Sequence, residues 1–312
     1  MKKFLGNLLA ACMCGFLVNV PVTGFTQAVW PEQGVPDYQE LRAKVKAEGP
    51  KLLFSDSPEM VYETGILYRD TLQGEGRLFF HHVNGTSKLK KLAIIVKNNG
   101  LRPVNFAVTR SGIDGPSHDY QAVGKKSQEY YFEEQKSKNS TLGFGKTLEL
   151  LSGEGMLLPT DQLLTGTIDF FSDRPVEVTV LMCDPKTDIE LFSALAKQLP
   201  IEHPLRGTFV KADLNYKLQH SIDTETGVGY ALLLADSQTG EYLRGTDATT
   251  GLPAENYGNY GVIYNIDYKL KGDKPYELWL NPWGGMFAGV GVLEQGGQRK
   301  IINIPESPAF GR

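Results

Sequence analysis

Lys90-Lys91-Leu92-Ala93-Ile94-Ile95-Val96-Lys97-Asn98-Asn99-Gly100, followed by Val104-Asn105-Phe106-Ala107-Val108, decides the fold class. A five-residue apolar centre between lysines reads as a strand. Asn-Asn-Gly supplies residues that tolerate a tight turn, and the second run alternates with period two. The same grammar repeats outward. Strand signals at 65–68 and 77–80 flank a Gly-rich turn, Gly74-Glu75-Gly76, and Asn84-Gly85 is a hairpin-type turn. Strands at 166–171 and 176–182 flank Ser172-Asp173-Arg174-Pro175, and further strands are expected over 208–219, 230–235, 261–270, 276–280, 290–293 and 300–304. Short strands between Gly, Pro and Asn turns predict a mainly β protein: two antiparallel β-sandwich-like domains joined by a short helix.

Three helices are expected. Tyr38, Leu41 and Val45 share a helical face before Gly49-Pro50, and a second helix covers 120–133. Thr187-Asp188-Ile189-Glu190 matches a capping box, and Ile189, Phe192, Leu195, Ala196 and Leu199 form one apolar face over 188–199. The resulting division is a signal peptide at 1–28, an N-terminal helical segment at 29–50, one sandwich-like unit at 51–185, a connector at 186–202, a second unit at 203–305 and a tail at 306–312.

The signal peptide rests on Lys2 and Lys3, an apolar run from Phe4 to Val20, and Thr26-Gln27-Ala28 as a cleavage site. The run is too short and interrupted to span a bilayer, and no later segment is longer, so the mature chain carries no integral membrane span. Leu9-Ala10-Ala11-Cys12 resembles a lipobox, which makes an acyl anchor at Cys12 the alternative to free secretion. Cleavage would leave Cys183 as the lone thiol, without an internal disulfide partner. Loss of Lys2 and Lys3 takes the formal charge from −4 to −6. With no basic stripe, nucleic acid is excluded as the main partner.

Several motifs invite a functional reading. Asn256-Tyr257-Gly258-Asn259-Tyr260-Gly261 and Asn281-Pro282-Trp283-Gly284-Gly285 combine aromatic faces, amides and glycine turns, the groups that stack on sugar rings and bond their hydroxyls. Tyr257, Asn259, Tyr260 and Trp283 are therefore the candidate ligand surface, with core-capping turns as the alternative. Arg206 and Arg244, in two Leu-Arg-Gly-Thr copies, are expected to form structural ion pairs with Asp247. His82 and His118 are the candidate metal ligands, although no metal-binding spacing is present. Adjacent His81 and His82 point to opposite faces of a strand. Gly143-Phe144-Gly145-Lys146-Thr147 is half a phosphate loop, lacking the leading glycine. Asp236, Glu241 and Asp247 are carboxylates available to a glycan hydrolase, with no spacing that selects a pair.

Taken together, Ser57-Pro58-Glu59, Gly65-Ile66-Leu67-Tyr68-Arg69-Asp70, Arg77-Leu78-Phe79-Phe80-His81-His82-Val83-Asn84, Leu205-Arg206-Gly207-Thr208-Phe209, Asn256-Tyr257-Gly258-Asn259-Tyr260-Gly261-Val262 and Asn281-Pro282-Trp283-Gly284-Gly285 carry a resemblance. The chain resembles uncharacterised secreted bacterial proteins, some of which carry an added copper amine oxidase-like N-terminal domain. This resemblance covers about 57–304. It implies export and an envelope location; it implies no reaction, cofactor or catalytic residue. The expectation is a secreted or envelope-associated, non-catalytic protein without a cofactor, binding a cell-wall polymer, glycan or surface protein. A glycan or wall hydrolase and a metal-binding envelope protein are the alternatives.

Overall fold

Leu92 to Val96 are buried on both faces, as a continuous apolar run requires of a central strand. In the computed structural model, which describes residues 13–16, 37–151, 157–235, 241–282, 285–295 and 297–309, this run forms the strand Lys90–Lys97. It pairs antiparallel with Leu163–Cys183 on one side and with Thr147–Glu149 and Leu157–Leu158 on the other.

The spine of the protein is a pair of long antiparallel strands, Gly65–Asn84 and Leu163–Cys183. The turn expected at 74–76 and the break expected at 172–175 are both absent. Instead the two irregularities face each other. Gly74 opposes Ser172 and Leu72 opposes Val176, so three residues bulge against one. Gly74 takes a positive φ of 86° there, a conformation open to glycine. Both strands bend together and keep pairing. Asn84-Gly85 likewise ends a strand without making a hairpin.

Lys51–Ser55 lies parallel to Gly65–Asn84, and its other edge takes Arg206–Phe209, followed outward by Arg244–Thr246 and Pro253–Glu255. The large sheet thus draws strands from both halves of the chain. A six-stranded sheet runs Gln298–Ser307, Phe287–Gln295, Met13–Phe16, Ile263–Asp267, Asp213–Leu218 and Ala43–Glu48. The chain is mainly β.

Side-chain alternation shows where the core sits. Leu53, Leu78 and Phe80 belong to one buried cluster, whereas Leu52, Phe54 and Phe79 belong to another. Successive residues of a strand point to opposite faces, so these two strands form a wall with a core on each side. No boundary near 186–202 separates the strand pairing.

The helical segment expected before residue 50 is replaced by the strands Tyr38–Glu40 and Ala43–Glu48. Pairing with Asp213–Leu218 decides this, because cross-strand contact overrides a weak local period. Residues 276–280 form no strand. The second helix is Tyr120–Phe132, capped by the Asp119 side chain, which accepts from the Ala122 N–H. The connector helix is shorter than expected, Ile189–Leu195, and Asp188 rather than Thr187 caps it.

Candidate functional site

A cleft of about 950 Å³ opens between the long-strand spine and the six-stranded sheet. Its floor is a charged row laid down by strand register. Asp169 sits directly opposite Arg77 on one neighbouring strand and opposite Arg110 on the other. Arg77 is almost fully buried. Its Nε donates to Asp169 Oδ1 at 2.8 Å and its Nη2 to Oδ2 at 3.2 Å. Nη1 donates to Asp213 Oδ1 at 2.7 Å and to the Gly261 carbonyl at 3.1 Å. One guanidinium thus bridges two carboxylates from different sheets with a planar, multi-point fit.

The helix 120–132 completes the floor. Its Tyr131 hydroxyl donates to Asp169 Oδ2 at 2.6 Å, and both Arg77 and Arg110 lie over the Tyr131 ring, at 5.8 and 5.1 Å. The helix can approach because Gly112 lacks a side chain; a Cβ there would lie 2.1 Å from the Ser127 carbonyl oxygen. Gly49 (φ 82°) does the same for Asp213, whose Oδ2 would be 2.3 Å from an added Cβ.

Both oxygens of Asp169 are occupied by donors. Burial pushes the Asp213 carboxyl above its ordinary range, and the contact with Arg77 offsets only part of that. The wall from the smaller sheet is polar and open. In-register Asn215 and Asn265 join by an Asn265 Nδ2–H to Asn215 Oδ1 bond of 2.9 Å, with Lys46 next in the row. Lys44, Lys217 and Asp267 form the parallel row, and Phe171, 43% exposed, supplies an aromatic face on the rim. Such a surface offers amides, cations and one aromatic ring to a polar ligand.

The residues singled out in the sequence lie elsewhere. Asn259 is fully buried: its Oδ1 accepts from Leu243 N–H, and its Nδ2 donates to the Tyr264 hydroxyl and the Glu241 carbonyl. Tyr260 is buried and stacks on Phe54 with ring centroids 5.8 Å apart. Tyr257 is exposed, edge-on to Tyr242, and Trp283 lies outside the described residues. Arg206 is buried and binds Asp247 Oδ2 at 2.9 Å while donating to the Leu67 and Leu199 carbonyls. Arg244 pairs instead with Glu255, on the surface, because the next strand in register places that carboxylate opposite it.

His82 is fully buried, with Nδ1 bonded to the Pro58 carbonyl and Nε2 to Ser55 Oγ, both at 2.9 Å. A carbonyl can only accept, so Nδ1 carries the proton and Nε2 accepts from Ser55. Neither nitrogen is left for a metal. His118 bonds the Asp161 carbonyl through Nδ1 and lies beside the Gln162 amide through Nε2. Among the described residues no three His, Cys, Asp or Glu side chains gather as a metal site. Cys183 is buried, and burial raises its thiol pKa. Asp236 and Cys12 lie outside the described residues.

The cleft residues Arg77, Asp169, Asp213, Asn215 and Asn265 were not selected by motif. A signal existed: Asp169 stands between Ile168 and Phe170, and Arg77 opens the run Leu78-Phe79-Phe80. A charge inside an apolar strand requires a partner. No protein-family model, curated protein or solved structure matches the chain.

Proposed function

We propose that the protein is exported and acts at the cell envelope as a non-catalytic binder of a cell-wall glycan, held in the cleft above Arg77. The leader-like sequence at 1–28 and the resemblance to secreted bacterial proteins support the location, with an acyl anchor at Cys12 as the tethered form; cleavage after 28 would remove the strand Met13–Phe16 from the smaller sheet and leave Ile263–Asp267, Asp213–Leu218 and Ala43–Glu48 paired along the cleft. The observation that carries the binding reading is the in-register Asn215–Asn265 pair, flanked by Lys46 and facing the Phe171 rim. Paired amides and a ring edge recognise hydroxyl-rich polymers without a titrating group. The floor beneath is locked: Asp169 spends both oxygens on Arg77 and Tyr131. In fold terms we read 51–185 and 203–305 as sandwich-like layers that share the wall of strands 51–55 and 65–84.

The test is co-sedimentation of the purified protein with isolated wall sacculi. Saturable binding is expected, with Asn215→Ala/Asn265→Ala weakening it about tenfold, the loss of two hydrogen bonds. Absence of saturable binding would overturn the reading. Retention by the cleft variant, with loss in Tyr257→Ala/Trp283→Ala, would move the surface to the aromatic loops.

One observation favours a second reading, hydrolysis of wall glycan: the cleft brings two carboxylates, Asp169 and Asp213, to one guanidinium. Release of labelled fragments from sacculi, abolished by Asp213→Asn, is its signature.

A further inference from the structure

At the far end of the strand Lys90–Lys97, a fully buried Asn98 ties two loops into one rigid tip. Its Nδ2 donates to the carbonyls of Arg102 (2.9 Å), Leu142 (2.9 Å) and Gly143 (3.2 Å), and its Oδ1 accepts from Gly100 N–H at 2.9 Å. The Asn98 backbone adds bonds to Lys146 and Gly145. Gly145, at φ 70°, lets the second loop fold back on itself. The tip holds Leu101 and Phe144 out in solvent, 85% and 63% exposed, and neither packs against an apolar cluster.

Lys97, Arg102 and Lys146 lie in or beside the two loops, and neither loop contains a carboxylate. The acids on the neighbouring strands are engaged: Glu177, opposite Lys97 in the sheet, lies against Arg69, Glu149 against Lys91, and Asp173 accepts from Asn105. Among the described residues these three cations form no ion pair. Among the described residues no helix is long and apolar enough to cross a membrane.

We propose that this tip docks the protein onto an anionic phospholipid surface. Leu101 and Phe144 enter the headgroup–acyl boundary, and Lys97, Arg102 and Lys146 meet the lipid phosphates. Two exposed apolar points on loops that carry three cations match a fluid interface, where apolar burial and attraction to anionic lipid add. A protein partner would instead present a shaped hydrophobic pocket to each side chain. The surface is separate from the cleft and does not depend on the glycan reading.

The experiment is vesicle flotation of the full chain carrying Cys12→Ser, which removes acylation as a route to lipid. Vesicles of phosphatidylglycerol and phosphatidylcholine in equal parts are compared with phosphatidylcholine alone. Binding is expected on the anionic vesicles and should weaken as salt rises. Leu101→Ser/Phe144→Ser should lower the partition coefficient at least about tenfold, and Arg102→Glu should lower it about fivefold. None of the five positions tested, the cleft pair Asn215→Ala/Asn265→Ala included, is buried, so an unchanged unfolding midpoint shows that loss of binding is not loss of fold. The cleft pair should float like the parent. Failure of the parent to float on anionic vesicles overturns the proposal. So does flotation that survives Leu101→Ser/Phe144→Ser, or a tip variant that keeps vesicle binding and loses sacculus binding.

Discussion

Asn84 and Asn98 do the same work at the ends of two strands. Each is fully buried and spends its amide on backbone: Asn84 donates to the Lys88 and Leu158 carbonyls and accepts from Thr86, as Asn98 does for its own loops. Their turns resemble hairpins in sequence and act as cross-links in space. Asn98→Ala should cost about 3 kcal/mol, because three carbonyls lose their donor inside the protein; denaturant unfolding measures it. His82 makes a pH prediction. Burial depresses its pKa to about 3, against about 6.5 in an unfolded chain. Between those values the unfolded chain binds a proton that the folded one does not. Stability therefore rises with pH across the window, by about 1.4 kcal/mol per unit for one such site. Asp56, whose carboxyl burial pushes well up, contributes with the opposite sign. His82→Gln should flatten the rising slope between pH 4 and 6 by about one proton; an unchanged slope would count against a neutral His82.

At the scale of elements, the long strand pair keeps pairing through its glycine-rich bend because the irregularity at 172–176 lies opposite the one at 72–74. The helix 120–132 reaches the sheet only over Gly112, and that approach delivers Tyr131 to Asp169. Gly112→Ala is expected to push the helix outward and cost about 2–3 kcal/mol, with ligand binding in the cleft weakened in step; calorimetry of the variant with and without sacculus fragments separates the two effects. The capping box predicted at Thr187 fails by one residue because Asp188 accepts the Leu191 N–H. Either side chain satisfies the local rule, and the strands on either side select the register.

At the scale of the molecule, Arg77 and Arg206 are the most deeply buried cations among the described residues, and each joins distant parts of the chain. Arg77→Met should destabilise by about 3–5 kcal/mol, since Asp169 and Asp213 are left without their counter-charge. Arg77→Met/Asp213→Asn should recover part of that loss in chemical denaturation. The pairing of Arg206–Phe209 with Lys51–Ser55 makes the halves interdependent. Residues 203–305 expressed alone are expected to show no cooperative unfolding transition, and co-expression with 29–202 should restore one.

The sequence by itself determined the mainly β class, the helix near 120–132 and the position of the connector helix. Those features rest on periodicity and capping, which act over a few residues. It also marked Arg206 and Asp247 as charges in need of partners. Tertiary structure alone decided that Tyr38–Glu40 and Ala43–Glu48 are strands, that Asn259 and Tyr260 are interior groups, and that Arg77, Asp169 and Asp213 meet on one cleft floor. The reason is range: Arg77 and Asp213 are 136 residues apart, and Leu52 and Leu53 enter different cores only because a single sheet has two faces. A pattern read along the chain specifies a strand and its alternation; which strand lies beside it, and what its charged residues face, depends on pairing between distant segments.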